Sequence, residues 1–418
     1  MSKPVPVELQ NQLRQFGQEH LLAGWENLSD AEVANFIQQL EAIDFEQLQQ
    51  LYQSHHSQLS SHDETSAEEA MPPENLVRLP VTQEEKQQWQ TATVVGKEIL
   101  AAGKVGIILV AGGQGTRLGF PHPKGMFPIG PVSERTLFQH LIEQAIERGQ
   151  QAGVGIPYFV MTSDATHEET IAHFAEQNNF GIAPDNLFFF KQGNMPAVDA
   201  KTGKLLLEKQ GQLCLSPDGH GGMVAALGDS GLLSKMQSRG IEYLYYHQVD
   251  NPTAIVCDPV FLGFHQLRRS EMSTKVAAKR NAEEKMGVVV SLNGMTQIIE
   301  YSDLPDAVAA KTDEENKLLL WAGNMAIHLF NRSFLEQLNT QHNSLPFHVA
   351  HKEVPCINAT GEPVKPTAPN ANKFERFIFD ALPHTKTALV VEANRQREFN
   401  PVKNKKGNDS PETSRAAL

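Results

Sequence analysis

Cysteine is scarce: Cys214, Cys257 and Cys356 are the only three in 418 residues, far apart and without a C-x-x-C pair. That argues against a disulfide framework and fits reduced thiols in a cytoplasmic setting. Long apolar runs are missing as well. None approaches the length of a membrane span, and the opening "MSKPVPVELQNQ" has no signal-peptide core. Positive charge is in deficit, with 36 Lys and Arg against 49 Asp and Glu, a formal net charge of −13. This balance argues against a nucleic-acid partner and weakens any attraction to an anionic membrane. A small anionic ligand stays compatible, because a few local cations outweigh a distant field. What is present is ordinary, 40% hydrophobic and 20% charged residues, in a chain long enough for more than one domain with a large main core.

The first fifty-odd residues are rich in Gln, Leu and Glu. Ser29 followed by Glu32 has the form of a capping box, and Val33, Phe36, Ile37 and Leu40 recur at helical spacing. Two or three helices are expected, packing as an appendage on the main domain. The polar, proline-punctuated stretch from His56 to Pro80 reads as a long connection. From about residue 95 the pattern changes. The strand-like runs "VGIILV", "PYFVMTS", "NLFFFKQ" and "YLYYHQV" alternate with amphipathic segments, one of which puts Leu137, Leu141 and Ala145 on a single helical face. Strands alternating with helices predict an α/β fold, a mainly parallel sheet with both faces covered. "GVVVSLNGMTQIIEY" adds an antiparallel hairpin, turned by Asn293 and Gly294.

The most informative stretch is "VGIILVAGGQGTRLGFPHPKGMFPIG", Val105 to Gly130. A buried strand leading into a glycine-rich turn and then a helix is a common way to build an anion site, since backbone N–H groups converge where side chains are missing. Spacing discriminates among nucleotide folds. The dinucleotide fingerprint G-x-G-x-x-G begins at Gly113 and Gly115 but meets Leu118 at its third position, and the ATPase loop requires Gly before Lys, whereas Lys124 precedes Gly125. A tight turn without a ligand accounts for the glycines but not for Gln114, Arg117 and Lys124 beside them.

The string "AGGQGTRLG…PKG" resembles the signature of sugar-nucleotide pyrophosphorylases, and its spelling is similar to the UTP-using branch. Six further segments resemble the UDP-N-acetylglucosamine pyrophosphorylase family in order and spacing: "SPDGHGG", "HQVDNP", "AGNMAIHLF", "LPFHVAHKEVP", "PNANKFERFIFD" and "FNPVKN". The resemblance implies a Rossmann-like, GT-A-like nucleotidyltransferase fold with an N-terminal helical region. It divides the chain into a helical region and linker (1–95), a catalytic domain (96–405) and a tail (406–418). It also implies an Mg²⁺-dependent transfer of uridylate from UTP to N-acetylglucosamine 1-phosphate, releasing pyrophosphate. Such a transfer needs charge neutralisation and in-line alignment more than covalent chemistry. A sugar 1-phosphate is already ionised near neutral pH, so no general base is sought.

By the same resemblance, Val110, Ala111, Gly112 and Gly113 line the uridine, while Arg117 and Lys124 face the triphosphate. Gln192 and Gly219 match positions that read uracil. Asp250, closing "YLYYHQV", is the expected Mg²⁺ ligand, and the bland alternative is an Asx turn before Pro252. Glu300 and Tyr301, placed on the second hairpin strand, match sugar-contacting positions, and Asn324 matches the residue that meets an N-acetyl group. Lys373 and Lys403 resemble basic positions that close on the phosphates, Lys403 at the α-phosphorus.

Two features depart from the pattern. His220 stands in "PDGHGG" where N-acetylglucosamine enzymes usually carry asparagine, which resembles UDP-glucose and broad UDP-sugar enzymes, whereas Asn324 and the later segments favour the N-acetyl sugar. The family's small β-rich C-terminal domain is expected to be absent or truncated after "SPETSRAAL", leaving a monomer or weak homo-oligomer as the expected state. His348 and His351 form H-x-x-H without the partners a zinc site needs. The competing readings are a UTP–glucose-1-phosphate uridylyltransferase, a catalytically silent UDP-sugar-binding protein and a glycosyltransferase on a similar sheet.

Overall fold

A computed structural model describes residues 4–58, 65–341 and 345–418, and the chain divides into two compact units. The first falls within Met1–Asp63, Gly193–Gly222 and Pro346–Phe377. Its helices are α1 (Val7–Gln15), α2 (Asp30–Glu41) and α3 (Phe45–Gln58). Helix α2 starts at the expected capping box: the Ser29 hydroxyl accepts from the Glu32 N–H, and the Glu32 carboxylate accepts from the Ser29 N–H at 2.8 Å. Phe36 and Leu40 are fully buried on one face, and they join Leu13, Trp25, Val198, Leu213 and Phe374 in this unit's core. Alongside lies an antiparallel three-stranded sheet of Phe347–Lys352, Ala371–Arg376 and Val198–Asp199.

The second unit, within Glu64–Gln192, Met223–Leu345 and Ile378–Leu418, carries a ten-stranded sheet. Its strands are β1 (Leu76–Val77), β2 (Val105–Val110), β3 (Tyr158–Thr162), β4 (Leu187–Lys191) and β5 (Tyr243–Gln248). Then come β6 (Met272–Ala278), β7 (Val288–Leu292), β8 (Met295–Ile299), β9 (Ala322–Asn331) and β10 (Ala388–Glu392). The order β1-β10-β6-β9-β5-β2-β3-β4 is parallel at every step except the two flanking β9, and the hairpin β7–β8 attaches to the start of β9. The sheet is therefore mixed and mainly parallel, as expected.

Sequence dictates these strands through continuous burial. Ile107 and Leu109 point one way and pack with Phe138 and Leu141 of helix α5 and Phe261 of helix α7, while Ile108 and Phe159 on the other face are equally buried. The unit's longer helices include α4 (Gln83–Ala101), α5 (Leu137–Ala152), α6 (His167–Glu176) and α7 (Pro259–Leu267). Among the described residues no helix is long and apolar enough to cross a membrane.

Three details differ from the sequence reading. The expected connection His56–Pro80, of which 59–64 lie outside the described residues, contains β1, an edge strand pairing parallel with β10. Two residues are too few to show a period. Strand β8 stops at Ile299, so Glu300 and Tyr301 follow the strand rather than lie on it. No α-helix opens directly at the glycine turn, where two short 3₁₀ turns, Thr116–Leu118 and Lys124–Met126, stand instead and α5 begins only at Leu137.

Candidate active site

Strands β2, β3, β4 and β5 end on one edge of the sheet, with Val110 opposite both Met161 and Gln248 and Thr162 opposite Lys191. Ligands of open α/β sheets collect beyond such carboxyl ends. Past Val110 the chain turns out as Ala111, Gly112 and Gly113, then folds back on itself. The Gly115 N–H donates to the His122 carbonyl at 2.9 Å and the Lys124 N–H to the Gly113 carbonyl at 3.0 Å. This return brings Lys124 beside the start of the turn, while Arg117 sits exposed on the loop. Neither side chain has a hydrogen-bond or ion-pair acceptor among the described residues. The turn thus presents two cations that no described residue pairs, on a loop held by its own backbone hydrogen bonds.

Gln192 leaves the end of β4, its N–H donating to the Thr162 carbonyl at 2.9 Å. Its buried side chain lies directly over Gly112. A Cβ there would stand 2.6 Å from the Gln192 Oε1, so only glycine allows the amide to lie against the turn. The Ser163 hydroxyl holds the other side by donating to the Gly112 carbonyl at 2.8 Å.

Asp250 follows β5 by two residues, in a turn, half-buried. Its carbonyl accepts the Val402 N–H at 2.7 Å. Its carboxylate takes no hydrogen bond or ion pair from the described residues, so the Asx-turn alternative is not the conformation observed. Next to it Asn251 is fully engaged, donating from Nδ2 to the Glu398 carbonyl at 2.8 Å and accepting the Asn400 N–H at 3.2 Å. Two sequence-distant motifs, "HQVDNP" and "FNPVKN", are therefore stitched together, and Lys403 emerges one residue after the stitch. Its ammonium lies 5.9 Å from the Phe399 ring centroid.

Glu300 and Asn324 converge on Gly287. The Asn324 N–H donates to the Gly287 carbonyl at 2.8 Å, and the Glu300 Oε1 lies 2.8 Å from where a Gly287 Cβ would stand. The Asn324 Oδ1 accepts the N–H of Ala326, whose φ of 54° marks a bulge in β9. That fixes the amide with its NH₂ side still able to donate. Tyr301 is exposed beyond Glu300.

The remaining expected residues belong to the first unit. Gly219 adopts φ 86°, and a Cβ there would meet the Arg376 carbonyl oxygen at 2.4 Å. The Arg376 N–H donates to the Asp218 carbonyl at 2.7 Å. His220 and His348 both stack on Phe377, with centroids 5.3 and 4.5 Å away, and desolvation followed by the charge of His348 pushes the His220 pKa down to about 4. His351 instead bonds the Asn372 Oδ1 at 3.0 Å. Lys373 stands half-buried on the strand Ala371–Arg376, opposite Ala350.

Several residues escaped the sequence reading. Ser163, Asn251, Gly287, Lys275 and the carboxylates of Asp258 and Glu398 all support the site residues. Asn251 lies inside a quoted motif, adjacent to the chosen aspartate. The others gave no signal, because their partners are remote in sequence.

A phosphate-ready turn and a bare carboxylate on the carboxyl edge of a mainly parallel sheet define a nucleotidyltransferase. The chain belongs to the family described as UTP–glucose-1-phosphate uridylyltransferase, whose model matches residues 44–408. It is 36% identical to UDP-N-acetylglucosamine pyrophosphorylase of Saccharomyces cerevisiae over 96% of this chain and 87% of the yeast protein. It is 33% identical to UDP-N-acetylhexosamine pyrophosphorylase-like protein 1 of Mus musculus, over 98% of this chain and 83% of the mouse protein. Among solved structures, the uridine diphosphate N-acetylglucosamine pyrophosphorylase of Trypanosoma brucei in complex with inhibitor superposes with a TM-score of 0.85 at 27% identity, covering 100% of this chain and 85% of that one.

Proposed function

We propose that the protein makes UDP-N-acetylglucosamine and pyrophosphate from UTP and N-acetylglucosamine 1-phosphate. The observation carrying this reading is the gathering, around one sheet edge, of Arg117, Lys124 and Asp250, whose side chains are unpaired among the described residues, with Lys403 tied alongside. The relatives' names, UDP-N-acetylglucosamine pyrophosphorylases, support this choice of sugar nucleotide. In the reaction a phosphate oxygen of the sugar 1-phosphate forms a bond to the α-phosphorus, and the bond from that phosphorus to the bridging oxygen of pyrophosphate breaks. No proton need move. Lys403 meets the charge that builds at the α-phosphorus, Lys124 the phosphates beside it and Arg117 the departing pyrophosphate. Main-chain groups of Val110 to Gly113 and the Gln192 amide hold the uridine, since a side-chain amide offers uracil both a donor and an acceptor. Glu300 accepts from sugar hydroxyls, and the Asn324 NH₂ donates to the N-acetyl oxygen.

Asp250 suits Mg²⁺: a hard oxygen donor, unengaged by protein, with no cluster of three acidic, His or Cys ligands anywhere among the described residues. Such a site binds the ion through one carboxylate plus phosphate oxygens and water, and the ion when bound neutralises phosphate charge. The roles expected of Gly219, His220, Tyr301 and Lys373 are to be tested by substitution. A cytoplasmic location belongs to the same reading, supported by three free cysteines.

The test is pyrophosphate release from protein, Mg²⁺, UTP and a panel of hexose 1-phosphates. Release that is fastest with N-acetylglucosamine 1-phosphate is expected. No release with any member would overturn the proposal, and release fastest with glucose 1-phosphate would move it to the UDP-glucose reaction.

A further inference from the structure

Lys275 lies in the middle of β6 and is 2% exposed, an unusual place for an ammonium. Its Nζ donates to the Asp258 Oδ2 at 2.6 Å and to the Glu398 Oε2 at 2.5 Å. The three groups form a buried ion triad, and each carboxylate anchors something. Asp258 caps the start of α7, its Oδ1 accepting the Val260 N–H at 3.0 Å. Glu398 begins the segment that carries Lys403. Its own carbonyl accepts from Asn251 Nδ2, Asn251 in turn holds the Asn400 N–H, and the Asp250 carbonyl holds the Val402 N–H.

We infer that Lys275 is a positioning residue for the transfer reaction: through Glu398 it fixes the segment 398–402 against the turn after β5, and so holds Lys403 in line with the Asp250 end of the site. The inference rests on the role of Lys403 proposed above. The physical case has two parts. Buried ion pairs contribute little net stability compared with apolar packing, so the core alone does not call for one here. They do impose geometry, because an ammonium with two carboxylate partners accepts few arrangements. Lys403 itself lacks such restraint. Its side chain is half-buried with an aromatic ring as its recorded contact, so its placement depends on the backbone before it. A shift of about 1 Å in a group that stabilises a transition state is enough to lose on the order of a hundredfold in rate.

The experiment compares wild type, Lys275→Met, Lys403→Ala and the double variant in two readouts. In pyrophosphate release, Lys275→Met is expected to lower kcat by about 10- to 100-fold with KM for UTP within about threefold. Added to Lys403→Ala it should cost less than a further threefold, because the lysine it positions is gone. Independently of turnover, hydrogen exchange at the Asn400 and Val402 amides should quicken at least about tenfold in Lys275→Met. Full activity in Lys275→Met, losses that multiply in the double variant, or unchanged exchange at 400 and 402 would each overturn the inference. Should Lys275→Met not fold, Glu398→Gln keeps the shape of the triad and takes its place, with the same criteria. If wild type released no pyrophosphate, the function proposed above would fail while the exchange measurement still decided whether Lys275 holds the segment.

Discussion

The carbonyl of Asp250 accepts the N–H of Val402 at 2.7 Å, joining the end of β5 to a segment about 150 residues further along the chain. One side of that bond carries a carboxylate without a partner among the described residues, and the other leads into Lys403. If Lys403 stabilises charge at the α-phosphorus, Lys403→Ala should reduce kcat by about two to three powers of ten, the range seen when one preorganised charge-stabilising donor is removed. Stability should barely change, since a half-exposed side chain with a single ring contact is lost. Pyrophosphate release and a thermal melt on the same preparation check both halves. Equal falls in rate and melting temperature would place Lys403 in the fold rather than in the chemistry.

Gly112 carries a separate prediction. An alanine methyl there would lie 2.6 Å from the Gln192 Oε1 but 3.4 Å from the nearest backbone atom, the Ser163 nitrogen. A side-chain end yields more readily than backbone, so Gly112→Ala should fold, with the Gln192 amide displaced from the turn. Losing one base-reading hydrogen bond is worth about 1 kcal/mol or a little more, hence a rise of about five- to tenfold in KM for UTP. KM for the sugar phosphate should stay as in wild type. Equal rises for both substrates would show that the turn, not base reading, had been disturbed.

Local pattern carried much of the fold. The buried runs of β2 to β5 and the Asn293–Gly294 turn were legible because a continuous apolar run and turn chemistry are local properties. Ends were less legible: the run "YLYYHQV" extends to Val249, yet the strand ends at Gln248, and Val249 keeps a single bond to the Val110 carbonyl as the chain turns into Asp250. The site residues were legible as motifs, but the contacts that place them were not. Nothing near Gly112 in sequence announces Gln192, and nothing near Lys275 announces Glu398. Asp218 illustrates the limit well. Nothing in "SPDGHGG" announces that Gly193 and Gly222 leave room for its carboxylate to turn inward, where it is 8% exposed.

A role for His220 in sugar choice is testable. The ring stacks on Phe377 at 5.3 Å, and its lowered pKa keeps it neutral at working pH, so any such role runs through shape and hydrogen bonding rather than charge. His220→Asn is expected to raise the ratio of kcat/KM for N-acetylglucosamine 1-phosphate over glucose 1-phosphate. That ratio should also be flat between pH 6 and 8 in wild type, because a group titrating at about 4 does not change state there. An unaltered ratio in the variant would remove His220 from the determinants of specificity.

Asp218 gives a prediction for stability against pH. Desolvation raises its pKa to about 6, the charge of Arg376 opposing that rise, and its Oδ1 is buried without a hydrogen-bond partner. The unfolded carboxyl titrates near 3.9, so between about pH 4 and pH 6 the folded state holds the proton more tightly. Stability from this group is complete below about pH 4, declines as pH rises, and is gone above about pH 6. Asp218→Asn removes the penalty of the buried charge while keeping the shape. Two pKa units correspond to about 3 kcal/mol, so the variant should gain up to that much over wild type at pH 7.5 and almost nothing at pH 4. His220 titrates in the same region with the opposite sign, losing stability as pH falls, but it is common to both proteins and cancels in their difference. Denaturant unfolding of the pair at pH 4, 5, 6 and 7.5 follows that difference directly. A gap that did not widen over this range would mean that the Asp218 carboxylate is already stabilised as an anion by Arg376, with burial the smaller effect.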